Sequence, residues 1–334
     1  MTGVHRKVSV IARVFNEARS IGSLLDSLAR QTHLPDEVVI ADAGSTDGTR
    51  EILETSSLTG LRVVDAPGNR SAGRNAAIAS ATGDLIASID GGCVAEPEWL
   101  DRLTAPFAAG NSWVAGFYRT NGATALANCI GLVMVYVEEE VEKNPDGFLP
   151  SARSMAFTRK VWDEVGGFPE HVEFAEDTLY GERLRAAASR PAIALDAVVL
   201  WTPPPNLRAL ARTAYRWGAG DANAGIRGWV YKRILVGYGG SAAVTVAAAL
   251  WAPGLLWVGP LAVLIDTAHR TRYKYRWAPK PSGWVLVPIA HLVSTYGALI
   301  GFLTQYARRG VIRGSGPVEG GEQPDVASPP PREH

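Results

Sequence analysis

Short apolar runs and amphipathic segments alternate over roughly the first two-thirds of the chain. The runs at residues 8–12, 37–41 and 85–89 are rich in β-branched and small apolar side chains, as in strands buried on both faces of a parallel sheet. Between the first two runs, residues 21–31 repeat leucine and isoleucine at helical spacing. This alternation predicts an α/β domain over residues 1–205, with a doubly wound, mostly parallel sheet flanked by helices.

Weaker patterns predict the remaining elements of this domain. Further strands are expected at residues 61–64, 113–117, 155–158 and 193–199, and helices at 50–53, 75–81 and 126–142. The last of these helices carries the run Glu138-Glu139-Glu140. Adjacent acids on a helix are typical of a solvated face, so we expect that face here and not a metal site.

The pattern changes near residue 203, where three consecutive prolines end the predicted domain. Asn206 is a favourable N-cap, and residues 206–233 are predicted to form a basic amphipathic region at a membrane interface. Arg208, Arg212 and Arg216 lie along one face of its helix at a spacing of four.

Two apolar stretches follow, and residues 234–306 are predicted to be membrane-associated helices. Residues 307–334 are rich in Pro, Gly and Glu and are predicted to be a disordered tail. Basic clusters flank both stretches, and the positive-inside rule would keep all of them cytosolic. A shallow hairpin turning at Pro253-Gly254 satisfies the charges, whereas two full spans satisfy the lengths; the sequence leaves both open.

The composition limits location and partners. The polar residues 1–7 contain no apolar core of a cleavable signal peptide, so we expect a cell-membrane protein whose α/β domain is cytoplasmic. Lys plus Arg and Asp plus Glu both number 33, and no basic patch is interleaved with aromatic residues, so nucleic acid is not an expected partner. Cys93 and Cys129 form no CxxC pair, which predicts neither a disulfide nor a zinc site.

Acidic residues stand where predicted strands end or helices begin. Asp42 and Asp90 follow strands, and the pair Glu176-Asp177 opens a later helix. Ligands of α/β sheets bind beyond the carboxyl ends of parallel strands, where acids can hold a metal-bound phosphate and deprotonate an attacking hydroxyl. The arrangement indicates transfer of a group from a nucleotide-activated donor.

Several short motifs occur in a fixed order along residues 7–225. They are SVIARVFNE (residues 9–17), DAGSTDGT (42–49), SAGRNAA (71–77), DGGC (90–93), SARSMAF (151–157) with GGFPE (166–170), ED (176–177) and YRW (215–217). Together they resemble glycosyltransferase family 2, inverting enzymes of the GT-A fold, in its membrane-associated bacterial type. The resemblance implies a Rossmann-like, mostly parallel sheet flanked by helices, followed by a C-terminal apolar helical membrane region.

The resemblance also implies a donor site around Asp90. This residue takes the place of the metal-binding DxD motif, so a divalent cation, Mn²⁺ or Mg²⁺, is the expected cofactor. The other expected contacts of the donor nucleotide are Arg13, Phe15, Glu17, Asp42 and Arg74. Three of these have ordinary structural alternatives: Asp42 as an Asx turn, Glu17 as a helix cap and Arg74 as a surface helix residue.

On the acceptor side, the resemblance makes Asp177 the expected catalytic base, with Glu176 beside it. Inversion needs a carboxylate to deprotonate the acceptor hydroxyl on the face opposite the diphosphate. Arg153, Arg216 and Trp217 are the expected contacts of the acceptor or the diphosphate. For Arg216 and its helix neighbours, contact with lipid headgroups is the alternative.

Two departures from the family pattern bear on these expectations. Gly92 replaces the second acid of DxD, and Ala43 replaces an acid that many relatives carry after the second strand. The first departure weakens the expectation of a metal site. The second weakens any choice among uridine, guanosine and thymidine as the nucleoside of the donor.

The predicted function is transfer of a sugar from a nucleotide-sugar donor to a lipid-linked or envelope-glycan acceptor, with membrane lipids as further partners. Two alternatives remain at this point. One is a polyprenyl-phosphate sugar transferase, and the other is a catalytically inactive, membrane-bound nucleotide-binding scaffold.

Overall fold

The computed structural model describes residues 6–148, 150–188 and 190–314, with side chains as far as residue 309. Its strands are β1 (Val8–Val14), β2 (Glu37–Asp42), β3 (Leu61–Asp65), β4 (Leu85–Ser88), β5 (Cys93–Ala95), β6 (Trp113–Thr120), β7 (Met155–Thr158) and β8 (Ala192–Trp201). The predicted strands are all present. The short β5 was not predicted, because three residues are too few for a pattern to register.

The helices occupy both faces of the sheet and the C-terminal region. They are α1 (Ile21–Ala29), α2 (Thr49–Glu54), α3 (Arg70–Ser80), α4 (Trp99–Thr104), α5 (Ala125–Met134), α6 (Glu138–Lys143), α7 (Arg159–Val165), α8 (Glu176–Ala188), α9 (Leu207–Ala224), α10 (Gly228–Trp251), α11 (Val258–Thr271) and α12 (Gly283–Gly314). The predicted boundary of the tail at residue 307 falls inside the last helix, and residues 315–334 of that tail lie outside the described residues.

The strands form one sheet in the order β3-β2-β1-β4-β7-β6-β8-β5. Parallel pairing joins β3, β2, β1 and β4, and also β6 to β8. In contrast, β7 runs antiparallel to both neighbours, and β5 is antiparallel to β8. The α/β class with flanking helices is confirmed, and the sheet is mixed, because an apolar run indicates burial of a strand and carries no sign of its direction.

The two faces of the sheet are each covered by a hydrophobic core. Val10 packs in one core with Leu28 and Trp99, and the next residue, Ile11, packs in the other with Phe157. Successive side chains of a strand point to opposite faces, so a central strand with both faces covered is apolar throughout. This explains why residues 8–12 have no alternating pattern.

The strand ends that carry the candidate site residues lie at one edge of the sheet. The parallel strands β1, β2 and β4 all finish there, and Ser88 at the end of β4 pairs with Met155 at the start of antiparallel β7. The loops after β4 and before β7 therefore meet at this edge. Strand β6 pairs with β7 only up to Ala115 and continues beside β8 to Thr120.

The helix predicted over residues 126–142 is broken in two. Val135 and Val137 have extended backbone conformations, with ψ near 158° and 159°, so α5 ends and α6 begins there. Two β-branched valines within three residues favour an extended backbone over a continued helix.

The prediction of a solvated acidic face at the start of α6 is wrong. Glu138 pairs with Arg119 of β6, Glu139 Oε1 accepts from Arg276 Nη1 at 2.7 Å, and Glu140 Oε2 accepts from Lys274 Nζ at 2.5 Å. Two of these partners belong to the segment between α11 and α12. The acids therefore join the α/β domain to the C-terminal helices.

The C-terminal region is anchored along α9. Asn206 caps this helix as predicted, accepting from the Ala209 N–H at 3.0 Å. Helix α12 lies so close to α9 that a Cβ on Gly218 would be 1.9 Å from the Ala298 carbonyl oxygen. The basic region thus packs on another helix along one side and keeps Arg216 exposed on the other.

The first apolar stretch forms a helical hairpin. Helix α10 ends before a turn at Pro253–Leu255, and α11 returns beside it, with the Tyr238 hydroxyl 3.2 Å from Asp266 Oδ2. Two helical segments, Gly228–Trp251 and Gly283–Arg309, are long and apolar enough to cross a membrane. Large apolar side chains on this region face outwards, including Trp251 at 79 % exposure.

Candidate active site

A buried arginine links two of the predicted acids. Arg74 on α3 is 3 % exposed; its Nη1 donates to Glu176 Oε1 at 2.8 Å and its Nη2 to Asp90 Oδ1 at 2.7 Å. Burial alone would lower the pKa of Arg74, but the charges of Asp90 and Glu176 outweigh burial and raise it. The alternative that Arg74 is a surface residue is therefore wrong.

Asp90 lies between two arginines at the end of β4. Besides the bond from Arg74, its Oδ2 is 3.8 Å from Arg153 Nε. Burial acts to raise the pKa of Asp90, but Arg74 and then Arg153 overcome it and hold the pKa below its usual value. Asp90 is therefore ionised at neutral pH.

Asp177 is connected to the same cluster through a serine. The Ser151 hydroxyl donates to Asp177 Oδ2 at 3.1 Å and accepts from Arg153 Nη1 at 3.0 Å. The guanidinium of Arg153 also lies over the rings of Tyr118 and Trp201, at 5.3 and 4.7 Å. Arg153 thus stands between Asp90 and Asp177, and Ser151 is a positioning candidate that the sequence analysis missed.

The carboxylate of Glu176 is less accessible to a substrate than that of Asp177. It is 5 % exposed and its carboxylate is occupied by Arg74, whereas Asp177 is partly exposed. The preceding residue, Ala175, adopts a φ of +64°, which turns the chain into α8 immediately before the two acids. This geometry suits Glu176 to positioning Arg74 and not to exchanging a proton with a substrate.

Arg13 and Phe15 lie together at the end of β1. The guanidinium of Arg13 is 5.5 Å from the centre of the Phe15 ring, and its Nη2 donates to the Gly68 carbonyl at 3.4 Å. A Cβ on Gly73 would stand 2.4 Å from Arg13 Cγ, so the glycine makes room for this arginine against α3. Phe15 is 47 % exposed, which leaves its ring free to stack on a planar ligand.

Asp42 makes a local contact of the kind its structural alternative predicts, whereas the side chain of Glu17 does not cap α1. Glu17 Oε2 accepts from the Ser20 hydroxyl at 2.5 Å at the start of α1. Asp42 Oδ1 accepts from the Ser45 N–H at 3.0 Å and from its hydroxyl at 2.6 Å, a local turn that spans one residue more than an Asx turn. The donor-binding roles of both residues stay predictions.

The described contacts do not join Arg216 or Trp217 to the acids. Further along the chain, Asp221, 2 % exposed, accepts from Arg227 Nη2 and from the Tyr231 hydroxyl, both at 2.6 Å. Burial raises the pKa of Asp221, and the negative charge of Asp177 adds to this effect. The sequence signal that could have identified Asp221 is that it is a lone acid in a stretch rich in alanine and glycine.

The described residues do not by themselves form a metal site. Among residues 6–148, 150–188 and 190–314, no group of three or more His, Cys, Asp or Glu side chains is arranged to hold an ion. Asp90 offers one carboxylate, and arginines already approach both of its oxygens. This donor set does not fit a cation held by protein ligands alone.

Comparison with known proteins relates the chain to a family of glycosyltransferases. The family model for glycosyl transferase family 2 matches residues 9–161. The chain is 28 % identical over 244 residues to the glycosyltransferase AglE of Haloferax volcanii, covering 70 % of this chain and 78 % of that protein. These matches support a glycosyltransferase related to family 2, which favours an enzyme over the inactive scaffold.

Two further matches are more limited. An undecaprenyl-phosphate 4-deoxy-4-formamido-L-arabinose transferase of Pectobacterium carotovorum is 31 % identical over 129 residues, covering 36 % of this chain and 39 % of that protein. The solved mannosyltransferase PcManGT of Pyrobaculum calidifontis, in complex with GDP-Man and Mn²⁺, superposes with a TM-score of 0.54. Its sequence identity is 19 %, and the match covers 89 % of this chain and 88 % of that one. This likeness confirms the GT-A fold.

Proposed function

We propose that this enzyme is an inverting glycosyltransferase that moves a sugar from a nucleotide-sugar donor to a lipid-linked or envelope-glycan acceptor at the membrane. The match to the family 2 model supports sugar transfer, and the two long apolar helices with outward-facing side chains support attachment to lipid. We further propose that the α/β domain lies on the cytoplasmic side, since the basic clusters flank the apolar helices.

The observation that carries the proposal is the linkage of Asp90 to Asp177 through Arg153 and Ser151. Arg153 brings positive charge to the edge of the sheet, which suits the diphosphate of a donor, and the enclosed Arg74 holds Asp90 beside it. Asp177 lies at the other end of the Arg153–Ser151 contacts and is partly exposed, which suits a base. Arg13 and Phe15 would flank the nucleotide base.

In the proposed reaction, the acceptor oxygen attacks the anomeric carbon of the donor as the bond to the diphosphate oxygen breaks. The diphosphate leaves with the electron pair and is stabilised by the positive charge of Arg153. The hydroxyl proton passes to a carboxylate oxygen of Asp177, and attack from the opposite face inverts the configuration. A divalent cation would be held by the donor diphosphate together with Asp90 and would supply positive charge to the leaving group.

The test compares the Asp177→Asn and Asp26→Asn variants. Asp26 is an exposed residue of α1, so the control makes the same chemical change away from the site. Thermal-shift titrations with UDP-, GDP- and dTDP-sugars, with and without Mn²⁺, would first identify the donor, because a ligand of the folded state raises its stability. We expect Asp177→Asn to keep that shift and lose transfer by about 10²–10⁴-fold. Retained turnover would exclude Asp177 as the base.

A second candidate, transfer to a polyprenyl phosphate, is favoured by the similarity to undecaprenyl-phosphate transferases. A phosphate acceptor is already anionic near neutral pH and needs no base, so Asp177→Asn would then retain turnover. Its product would be a sugar–phosphate–lipid that mild acid cleaves. An acid-stable product from a lipid-linked hydroxyl acceptor would favour the first candidate.

A further inference from the structure

Helix α12 is long and apolar enough to cross a membrane, but it is packed lengthwise on the rest of the protein. Near its start, Val287 packs against α5. In its middle, a Cβ on Gly301 would stand 2.0 Å from the Tyr215 carbonyl oxygen of α9. Further on, Arg309 Nη1 donates to the Ala222 carbonyl of α9 at 2.7 Å. From the first of these contacts to the last, the helix is about 33 Å long.

The partner helix α9 is unsuited to the interior of a bilayer. One face of it carries three exposed arginines, Arg208, Arg212 and Arg216. Its end is fixed to the α/β domain, because a Cβ on Gly220 would be 2.4 Å from Phe174 Cβ. Charged side chains are costly within the hydrocarbon of a membrane, so α9 stays outside it. Since α12 is held to α9, α12 lies along a membrane surface and does not cross it.

The side of α12 that α5 and α9 leave uncovered is apolar. Its exposed residues form one stripe at helical spacing: Val285, Ile289, Tyr296, Ile300 and Leu303. A helix with protein on one side and an apolar stripe on the other fits the boundary between lipid headgroups and acyl chains.

The hairpin of α10 and α11 begins and ends on the protein. At the start of α10, the ring of Tyr231 stacks on Phe302 of α12 at 4.1 Å. After α11, Lys274 Nζ donates to the Val135 carbonyl and to Glu140, both at 2.5 Å. Both ends of the hairpin therefore lie on the side of the α/β domain.

The hairpin is too short to reach across a bilayer. Asp266 of α11 pairs with Arg270 at 2.7 Å, and its Oδ2 is 3.2 Å from the Tyr238 hydroxyl of α10. The ring of Tyr238 is also 5.5 Å from that of Tyr296 in α12. From Tyr238 to the end of α10 at Trp251, the helix extends about 20 Å. The hydrocarbon of a bilayer is about 30 Å thick, so this length suits one leaflet and does not reach the opposite headgroups.

The charges of the hairpin are confined to its base. Residues 234–265 contain no Asp, Glu, Lys, Arg or His, and Trp251 and Trp257 at the tip are exposed. The exposed cations lie at the base instead: Lys232, Arg233, Arg272 and Lys280. Cations at the base and an uncharged, apolar tip match a leaflet that carries anionic headgroups.

We propose that the C-terminal region enters a single leaflet of a bilayer with anionic headgroups. The α10–α11 hairpin inserts and returns, α12 lies along the surface, and no helix within the described part of the chain crosses. The inference rests on the membrane attachment in the proposed function and names its geometry, which decides between the two arrangements that the sequence left open. It confines sugar transfer to acceptors in that leaflet or in the solution on the same side.

The first test is reaction of added cysteines with a membrane-impermeant maleimide in sealed vesicles of both orientations that contain the full-length protein. The native Cys93 and Cys129 are buried, and the unchanged protein gives the background. We expect Lys280→Cys and Arg308→Cys, at the two ends of α12, to react in the same vesicle orientation as Gly22→Cys in the α/β domain. Reaction of the two ends in opposite orientations, or of both ends opposite to Gly22→Cys, would overturn the proposal.

Gly254→Cys marks the tip of the hairpin, where a Cβ has no neighbour within 4 Å. We expect no reaction in either orientation until detergent is added. A fluorophore attached there should be quenched more strongly by lipids with a nitroxide deep in the acyl chain than by lipids with one near the headgroup. Three results would overturn the proposal: reaction from the side opposite to Gly22→Cys, reaction from the same side, and protection without quenching by lipid, which would mean that a second copy of the protein covers the tip.

An arginine at the tip gives an independent measurement. Leu256→Arg places a charge within the leaflet, whereas Leu34→Arg makes the same change at an exposed loop of the α/β domain. We expect Leu256→Arg to lower the ratio of vesicle-bound to free protein about tenfold and Leu34→Arg to leave it unchanged. A tip that reached the opposite headgroups would tolerate the arginine, so equal binding of the two variants would overturn the proposal.

These readouts need neither a donor nor turnover, so they separate the two proposals. Sugar transfer and donor-induced thermal shifts, measured on the same variants, report on the enzyme alone. A protein that transfers sugar but has the two ends of α12 on opposite sides would overturn this inference only. A protein that enters one leaflet but neither binds a nucleotide-sugar nor transfers sugar would overturn the proposed function only.

Discussion

Replacing Arg74 by methionine tests the central ion pairs of the candidate active site. The change removes the cation shared by Asp90 and Glu176 and keeps a long side chain in the buried space. Glu176 would be left with a charged carboxylate whose side chain is 7 % exposed, while Asp90, at 30 %, keeps Arg153 at 3.8 Å and some access to water. Most of the cost therefore comes from Glu176.

Breaking a buried pair by removing one partner costs about 3–5 kcal/mol. Because only one of the two carboxylates is almost fully enclosed, we expect the lower end, about 3 kcal/mol. At about 2–4 °C per kcal/mol for a domain of this size, the melting temperature should fall by roughly 6–12 °C. The matched control is Arg190→Met, whose partner Asp146 lies 2.9 Å away and whose side chain is 80 % exposed; such surface pairs contribute about 0–1 kcal/mol.

The assay is thermal unfolding of the purified protein, followed by circular dichroism, for Arg74→Met, Glu176→Gln and the double variant. If Glu176 causes the loss, the double variant should be more stable than Arg74→Met, and the two changes should be strongly non-additive. The reasoning fails if Arg74→Met unfolds at the temperature of the Arg190→Met control, or if the two site changes simply add.

Two further predictions concern stability and assembly. Burial acts to raise the pKa of Glu37, but hydrogen bonds from Ser9 and Thr82 overcome it and lower the pKa from 4.5 to about 2. Glu37→Gln should therefore reduce the free energy of unfolding above about pH 4.5, and the difference from wild type should vanish as the pH falls towards 2. Unfolding of both proteins measured across that pH range is the test. Lys274→Met removes the partner of Glu140, so limited proteolysis should cut residues 272–282 faster than in wild type. Adding Glu140→Gln should restore much of the protection. Unchanged cleavage in the single variant would show that the Lys274–Glu140 pair does not hold this segment.

The parts of the fold that follow from local patterns were predictable. Buried parallel strands such as β1 have a continuous apolar run, and Asn206 caps α9 as its residue type indicates. The direction of β7 was not predictable, because it depends on which neighbour the strand meets. The acidic run of α6 was misjudged for the same reason: its partner Lys274 is more than a hundred residues away.

The site shows the same limit. The position of Asp90 at a strand end and the two acids at the start of α8 were evident from the sequence. The sequence does not reveal that Glu176 is buried whereas Asp177 is partly exposed. Arg74 was an open question until its two partners were known. Long-range ion pairs decide these roles, and they depend on the tertiary fold.

The ion pairs also give a physical reason for Gly92. Its position faces Glu17: a Cβ there would be 3.7 Å from Glu17 Oε2, so an aspartate at residue 92 would bring a second negative charge close to an existing one. Arg153 meanwhile supplies positive charge on the other side of Asp90, and Arg74 is balanced by Asp90 and Glu176 together. A donor diphosphate at this edge would thus be neutralised in part by the Arg153 guanidinium, which lowers the need for a second metal-binding acid. On this view the glycine and the two arginines belong to one electrostatic arrangement, and Gly92→Asp alone would not restore a two-acid metal site.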